Sequence, residues 1–333
     1  WWGGVCFMIP TMTGYNPAIL NEIAAIVGAA HVAAGAEAAQ WSQDWPGLTQ
    51  WQPLAVARPA NTGEVAALVW LANARRLPIV PVSGNTNLVK GTVAEGALML
   101  SLDRMSAIRE IRADARVAVV EAGVILATLH AAAAEHDLIF PLSFGARGSA
   151  MVGGVLSTNA GASNVLRYGN TRDLCLGLEV VTPTGEVMNL MSALHKNNSG
   201  YDLRHLMIGA EGTLGIITAA VLKLFPRPRA YATAMVAVPT VGAALRLLHR
   251  LQDETGGAVE AFEYIPRSFL TVLLQRFPQM RPPFEKSYDV NVLVELGGRA
   301  PRDVMPDASG TVPISAHLKA VLAGFYEEGL ILD

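Results

Sequence analysis

The spacing of apolar positions predicts several amphipathic helices. Within Arg58–Ala74, apolar residues recur at helical spacing from Val65 to Ala72, and either Asn61 or Thr62 can cap the helix at its N-terminus. The same pattern predicts helices over Pro17–Val27, Leu126–His136, Val241–Glu254, Arg267–Phe277 and Ile314–Glu328, and a short helix that ends at Met207.

Short apolar or β-branched runs between turn residues predict strands. They cover Leu77–Val82, Ala97–Leu102, Arg116–Gly123, Leu176–Thr182, Glu186–Leu190, Ile216–Phe225, Tyr231–Val238, Val259–Ile265 and Tyr288–Leu296. The first strand is expected to be buried, and Pro183–Gly185 predicts an antiparallel hairpin. Gly329–Asp333 resembles the start of another strand. Two prolines, Pro226 and Pro228, predict a domain boundary, after which helices and strands alternate.

Three segments, Pro81–Gly91, Phe140–Gly161 and Ile208–Thr218, combine glycines with short polar side chains. Glycine lets the backbone approach a ligand closely, and hydroxyl, amide and backbone N–H groups can bind phosphate oxygens. Each segment alone is equally compatible with ordinary surface turns. The spacing in Pro81–Gly91 matches neither the P-loop nor the Rossmann fingerprint, so a different mode of nucleotide binding is required.

Composition narrows the classes of partner. The 333 residues are enough for about two domains. The chain has 25 Lys and Arg residues against 28 Asp and Glu residues, and it has no basic block. This balance argues against nucleic acid as a binding partner. Two cysteines, Cys6 and Cys175, are expected to be small buried hydrophobic residues in a reducing compartment, the cytoplasm, rather than metal ligands. No apolar run predicts a membrane span, and the N-terminus lacks signal-peptide features, with a natural start expected at Met8 or Met12.

Five segments in order resemble one family of proteins. They are PVSGNTNLVKG, FPLSFGARGSAMVGGVLSTNAG, RYGNTRDLCLGLEVV, KNNSGYDL and IGAEGTLGIIT. This set is similar to FAD-linked oxidases and dehydrogenases of the vanillyl-alcohol oxidase type, which carry a PCMH-type FAD-binding domain, and in particular to their D-2-hydroxyacid dehydrogenase branch. The resemblance implies an α+β fold with an N-terminal helical extension (1–57), a two-part FAD-binding domain (58–228) and a partial α/β substrate cap (229–333). It also implies that the chain lacks the family's C-terminal portion.

The resemblance implies which residues bind the cofactor. The first loop and the turns near Gly145–Gly154 would wrap the pyrophosphate, residues 158 and 159 would approach the flavin, and Glu211–Ile217 would complete the adenine and ribose side. The cofactor-binding residues are Pro81, Ser83, Gly84, Asn85, Thr86, Asn87, Leu88, Pro141, Gly145, Ser149, Gly153, Gly154, Thr158, Asn159, Gly161, Glu211, Gly212, Gly215, Ile216 and Ile217. Ser83 and Ala162 stand where the family often has glycine. FAD is expected to be non-covalent, because the first loop contains no histidine.

The implied activity is oxidation of a D-2-hydroxy acid, of the D-lactate, glycolate or D-2-hydroxyglutarate class, to the 2-oxo acid by hydride transfer to flavin N5. The catalytic residues, the substrate arginines and any divalent metal site belong in the family to later segments. The seven histidines form no H-x-H pair. The electron acceptor is unspecified, and a homodimer is left open. Two alternatives remain: a non-catalytic FAD-binding subunit, or the same fold acting on another alcohol.

Several polar and aromatic residues beside these segments have two interpretations. Arg147 and Arg167 could contact phosphate or substrate, or could form structural salt bridges. Tyr201 and Asp202 are expected to support the turn at Ile208–Thr218 rather than act as an acid–base pair. The tryptophans before residue 52 are expected to pack in the interior.

Overall fold

The computed structural model describes residues 17–333, so the predictions for Cys6 and for a start at Met8 or Met12 lie outside it. The helices are α1 (Pro17–Val27), α2 (Thr62–Arg75), α3 (Leu126–Ala134), α4 (Val152–Ser157), α5 (Val165–Tyr168), α6 (Leu203–Met207), α7 (Val241–Thr255), α8 (Arg267–Arg276), α9 (Pro301–Val304) and α10 (Pro313–Glu327). Three short 3-10 helices cover Ala29–His31, Gly35–Trp41 and Gly145–Gly148.

The strands follow the predicted order with several additions. They are β1 (Val32–Ala33), β2 (Ala55–Ala57), β3 (Ile79–Val82), β4 (Leu98–Ser101), β5 (Ile108–Arg112), β6 (Val117–Glu121), β7 (Leu138–Ile139), β8 (Cys175–Val181), β9 (Val187–Leu190), β10 (Ile216–Lys223), β11 (Phe225–Pro226), β12 (Ala230–Val238), β13 (Val259–Pro266) and β14 (Val290–Gly298). Strands β1, β2, β5 and β7 were not predicted, since each is short or carries several polar side chains.

The chain divides into two compact units, each built from several segments. The first contains the described residues up to Ala133 together with Gly145–Ala160 and Cys175–Lys223. The second contains Ala134–Phe144, Gly161–Leu174 and Leu224–Asp333. Each unit has its own sheets and core.

The first unit contains two sheets. Strands β1, β2, β4 and β3 lie in that order, with β2 and β3 parallel to β4. An antiparallel sheet has the order β5, β6, β10, β8 and β9. The prediction that Leu77–Val82 is buried was wrong for most of its length: β3 is an edge strand, and only Val82 is fully buried.

Local sequence signals account for α2 and for the β8–β9 hairpin. Asn61 accepts a hydrogen bond from the Glu64 N–H at 3.0 Å, so the predicted N-cap is confirmed. The hairpin is also confirmed, with Val181 opposite Val187. Its turn needs glycine, because Gly185 has φ +85° and a Cβ there would lie 1.6 Å from the Trp70 ring.

The second unit contains the antiparallel sheet β12–β14–β13, packed against α7 and α10. Leu247 of α7 and Leu318 of α10 bury their side chains in this core. The predicted strand at Gly329–Asp333 was not found as a strand. Even so, the Leu332 N–H donates to the Ala237 carbonyl and the Ala237 N–H donates to the Asp333 carbonyl, so this segment pairs with β12.

Candidate functional site

The loop that follows β3 presents a row of unpaired backbone donors. Among the described residues, none provides a hydrogen-bond acceptor for the five backbone N–H groups from Gly84 to Leu88. Side chains of this loop are half-buried as far as Asn87. Successive backbone N–H groups in a turn can form a concave site for an anion. The unpaired N–H groups of this loop are therefore suitable donors for phosphate oxygens, with no lysine needed.

The loop is held close to the segment that contains α4. A Cβ built on Gly84 would lie 2.1 Å from the Ser149 carbonyl oxygen, so only glycine allows this approach. Gly154 of α4 lies beside Ser83, with 3.1 Å between a built Cβ and the Ser83 Cβ. Gly153 fits against Ala122, whose carbonyl accepts the Gly153 N–H at 2.7 Å. Packing therefore requires glycine at positions 84 and 153, while Gly154 is in tight contact with Ser83.

A third segment joins the same place through backbone hydrogen bonds. The Gly209 N–H donates to the Leu156 carbonyl at 3.1 Å, and the Glu211 N–H donates to the Ser157 carbonyl at 2.9 Å. Glu211 adopts φ +52°, a left-handed conformation that non-glycine residues adopt at an energetic cost. Such conformations are concentrated at ligand-binding sites. The turn after Met207 is therefore fixed against the end of α4.

Two glycines of this third segment are also packed tightly. A Cβ on Gly212 would lie 2.6 Å from the Pro81 ring, and Gly212 has φ +80°. A Cβ on Gly215 would lie 2.7 Å from a Val180 methyl group. The structure thus brings together the three glycine-rich segments that the sequence places far apart.

The remaining predicted site residues have different surroundings. Thr158 donates its hydroxyl to the Gly154 carbonyl at 2.9 Å, and Asn159 has φ +47°. Ile216 and Ile217 are buried in β10. In the described part of the chain, no atom outside the immediate neighbours of Gly145 lies within 4 Å of a Cβ built on it. Pro141 and Gly161 belong to the second unit, whereas all the other predicted cofactor-binding residues belong to the first.

The Ser83 hydroxyl gives a test of whether a ligand fits here. Its oxygen is buried and has no hydrogen-bond partner among the described residues. A buried hydroxyl without a partner costs roughly 1–3 kcal/mol. A diphosphate supplies acceptor oxygens for this hydroxyl and for the loop N–H groups. The donor set of the first unit therefore fits the pyrophosphate of a dinucleotide such as FAD.

A buried polar cluster in the second unit was missed by sequence reasoning. Glu260 is 1% exposed, and its carboxylate accepts bonds from Arg167 at 2.5 Å, the Tyr168 hydroxyl at 2.7 Å and Asn164 at 3.0 Å. Arg299 donates to the Tyr168 hydroxyl at 2.9 Å. Arg167 thus forms a structural ion pair, one of the two interpretations of this residue. No local sequence pattern indicated a role for Glu260, because it lies 93 residues from Arg167 in the chain.

Burial and the neighbouring carboxylate change the acidity of the tyrosine in this cluster. Desolvation, followed by the hydrogen bond to Glu260, raises the pKa of Tyr168 to about 12. The phenol therefore remains protonated at physiological pH and acts as a hydrogen-bond donor. It holds α5 on β13 and is not available as a general base.

Of the residues that lie beside the glycine-rich segments, Asp202 has a structural role, whereas Tyr201 is exposed to solvent. Asp202 caps α6 by accepting from the His205 N–H at 3.2 Å, and it pairs with Arg204, which lowers the pKa of the Asp202 carboxyl group. Tyr201 is 98% exposed, so the prediction that its side chain supports the turn at Ile208–Thr218 was wrong. Cys175 is buried, as predicted, and desolvation raises the pKa of its thiol to about 12.

Residues 17–333 contain no candidate cluster for a metal ion and no candidate membrane span. Within that part of the chain, no group of three His, Cys, Asp or Glu side chains could hold a metal ion. No helix there is long and apolar enough to cross a membrane. Trp41 and Trp51 are buried as expected, whereas Trp45 is 53% exposed.

Comparison with known sequences identifies the class of domain. Residues 53–191 match a family described as an FAD binding domain. This segment contains the first loop, α4 and the β8–β9 hairpin, and it is similar to the FAD-binding domains of that family. The prediction of FAD as the cofactor is thereby confirmed, while non-covalent attachment stays a prediction.

Individual relatives extend the similarity beyond this domain. D-2-hydroxyglutarate dehydrogenase of Xanthomonas citri pv. viticola is 40% identical over 262 residues, 78% of this chain and 55% of that protein. D-2-hydroxyglutarate–pyruvate transhydrogenase of Saccharomyces cerevisiae is 34% identical over 79% of this chain and 53% of that protein. The chain spans about half the length of these curated relatives.

Solved structures show the same fold at low sequence identity. An alkyldihydroxyacetonephosphate synthase superimposes with a TM-score of 0.73 at 18% identity, covering 94% of this chain and 60% of that chain. p-Cresol methylhydroxylase superimposes with a TM-score of 0.70 at 17% identity, covering 95% of this chain and 65% of that chain. These similarities confirm the predicted α+β fold of the PCMH type.

Proposed function

We propose that this chain is the FAD-binding portion of an FAD-dependent oxidoreductase that converts a D-2-hydroxy acid to the 2-oxo acid. The observation that carries the proposal is the meeting of three glycine-rich segments around unpaired N–H groups and the orphaned Ser83 hydroxyl. The 40% identity to a D-2-hydroxyglutarate dehydrogenase supports D-2-hydroxyglutarate as the first substrate to test. D-lactate and glycolate are the next two.

Residues of the first unit would have different roles in binding FAD. The N–H groups from Gly84 to Leu88 and the Ser83 hydroxyl would hold the pyrophosphate, and Gly84 and Gly154 keep the two segments close enough to do so. Bound FAD supplies the acceptor for the hydride that leaves the α-carbon of the substrate. The chain's own contribution is to bind and orient FAD, and we assign no catalytic base within the described residues.

Three further parts of the proposal rest on sequence reasoning. We propose that residues 58–228 bind FAD and that residues 229–333 contribute to a substrate cap. We also propose non-covalent FAD, because the loop that follows β3 has no histidine between Pro81 and Gly91. A reducing compartment is expected, and relatives from Arabidopsis thaliana and Rattus norvegicus are named as mitochondrial.

Two measurements test this proposal. Purified protein should be yellow, or should become so when FAD is added, and D-2-hydroxyglutarate should bleach the flavin absorbance while L-2-hydroxyglutarate should not. A preparation that cannot be loaded with FAD contradicts the proposal. Loaded protein that no hydroxy acid bleaches shows that these residues bind FAD without carrying out the oxidation by themselves, and bleaching by another alcohol class supports a different substrate.

A further inference from the structure

Thr92 connects two asparagines of the loop that follows β3. Its hydroxyl donates to Asn85 Oδ1 at 2.7 Å and accepts from Asn87 Nδ2 at 3.1 Å. The Thr92 side chain is half-buried, just after the glycine that ends the loop. One hydroxyl therefore serves as both acceptor and donor for two side chains that sequence reasoning placed in the cofactor site.

The Asn85 side chain stabilises an unfavourable backbone conformation. Asn85 has φ +49°, and left-handed conformations cost an L-residue roughly 1–2 kcal/mol unless local hydrogen bonds compensate. Its Nδ2 donates to the Gln43 carbonyl at 2.8 Å, and its Oδ1 accepts from Thr92. Both ends of this amide are bound within the protein.

The Asn87 side chain closes the second half of the loop. Its Oδ1 accepts from the Gly91 N–H at 3.0 Å and from the Val89 N–H at 3.3 Å, while its Nδ2 is bound to Thr92. The two amides thus satisfy groups inside the loop. The backbone N–H groups of residues 84–88 are left for an external acceptor.

We propose that Thr92 is a positioning residue that holds this loop in its ligand-binding conformation. The inference rests on the proposed FAD site and adds to it a residue that does not itself contact the cofactor. A loop that is ordered before binding loses less conformational entropy when the ligand arrives. Loss of the hydroxyl should therefore weaken pyrophosphate binding more than it disturbs the fold.

The test compares Thr92→Val, which keeps the side-chain shape, with Thr92→Ser, which keeps the hydroxyl. FAD is titrated into apoprotein of the full chain, and binding is followed by quenching of flavin fluorescence. We expect Thr92→Val, which removes both hydrogen bonds of the hydroxyl, to raise the Kd about tenfold, and Thr92→Ser to stay within about twofold of wild type. ADP, which retains the diphosphate, should displace FAD from Thr92→Val with a similarly weakened affinity.

The outcomes separate this inference from the proposed function. Wild-type protein that binds FAD, together with Thr92→Val of unchanged affinity, overturns the role of Thr92 and leaves the FAD site standing. Equal weakening in Thr92→Ser also overturns it, because the hydroxyl would then not be the cause. Wild-type protein that binds no FAD overturns both. If Thr92→Val does not fold, Thr92→Ala removes the same hydroxyl without placing a second methyl group against the two asparagine amides.

Discussion

Replacement of Gly84 by alanine tests whether close packing of two segments builds the site. The added Cβ would lie 2.1 Å from the Ser149 carbonyl oxygen, 2.9 Å from its carbonyl carbon and 3.0 Å from the Ala150 Cα. All three are backbone atoms, so no side chain can rotate away. Because carbon and oxygen normally approach to about 3.3 Å, the loop that follows β3 and the segment before α4 must separate by about 1 Å.

This displacement gives the expected loss of folding free energy in Gly84→Ala. Overpacking of this kind costs roughly 1–3 kcal/mol, which corresponds to a fall in melting temperature of roughly 2–10 °C for a unit of this size. Separation of the two segments should also weaken FAD binding, because the N–H groups of residues 84–88 would move away from the segment before α4. The backbone angle is not the cause, since Gly84 does not have a positive φ.

Thermal unfolding of the apoprotein and FAD titration measure the two effects. For thermal unfolding, the matched control is Gly145→Ala, because among residues 17–333 no atom outside its immediate neighbours in the chain lies within 4 Å of its Cβ, and its φ is not positive. We expect the control to keep the melting temperature of the apoprotein. If Gly84→Ala melts and binds FAD like wild type, the packing of Gly84 on Ser149 does not build the site and this reasoning is refuted.

Other changes test the second unit and the buried thiol. Glu260→Gln should lower the free energy of unfolding, measured in urea, by roughly 3 kcal/mol, because it leaves the largely buried Arg167 without its carboxylate partner. An unchanged urea midpoint would contradict the buried ion pair. In a Cys6→Ser background, Cys175 should resist alkylation by iodoacetamide at pH 9 and react only on unfolding, because burial raises the pKa of its thiol to about 12. Rapid alkylation of the native protein would contradict this prediction by showing that the thiol is accessible. Gly324→Ala in α10 should raise the melting temperature slightly, because alanine favours helix and, apart from the backbone of α10 itself, no atom of the described residues lies within 4 Å of the new methyl group. A lower melting temperature would contradict this packing.

Local signals were sufficient to predict most of the regular elements. The helix α7 begins after Thr240, which caps it, and ends at Gly256, which has φ +61°. Both signals lie within a few residues of the helix they limit, so they can be recognised from sequence. Short strands such as Ala55–Ala57 could not be recognised, because three residues carry no periodicity.

The sequence by itself predicted the cofactor class, because five segments in order resemble those of FAD-linked oxidases and dehydrogenases. Tertiary structure decided which of those glycines are required: Gly84 and Gly212 each pack against a partner distant in the chain, while Gly145 faces open space. It also decided the role of Arg167, whose partner Glu260 is 93 residues away. Local residue patterns carry no information about such distant contacts, because only folding brings these residues together.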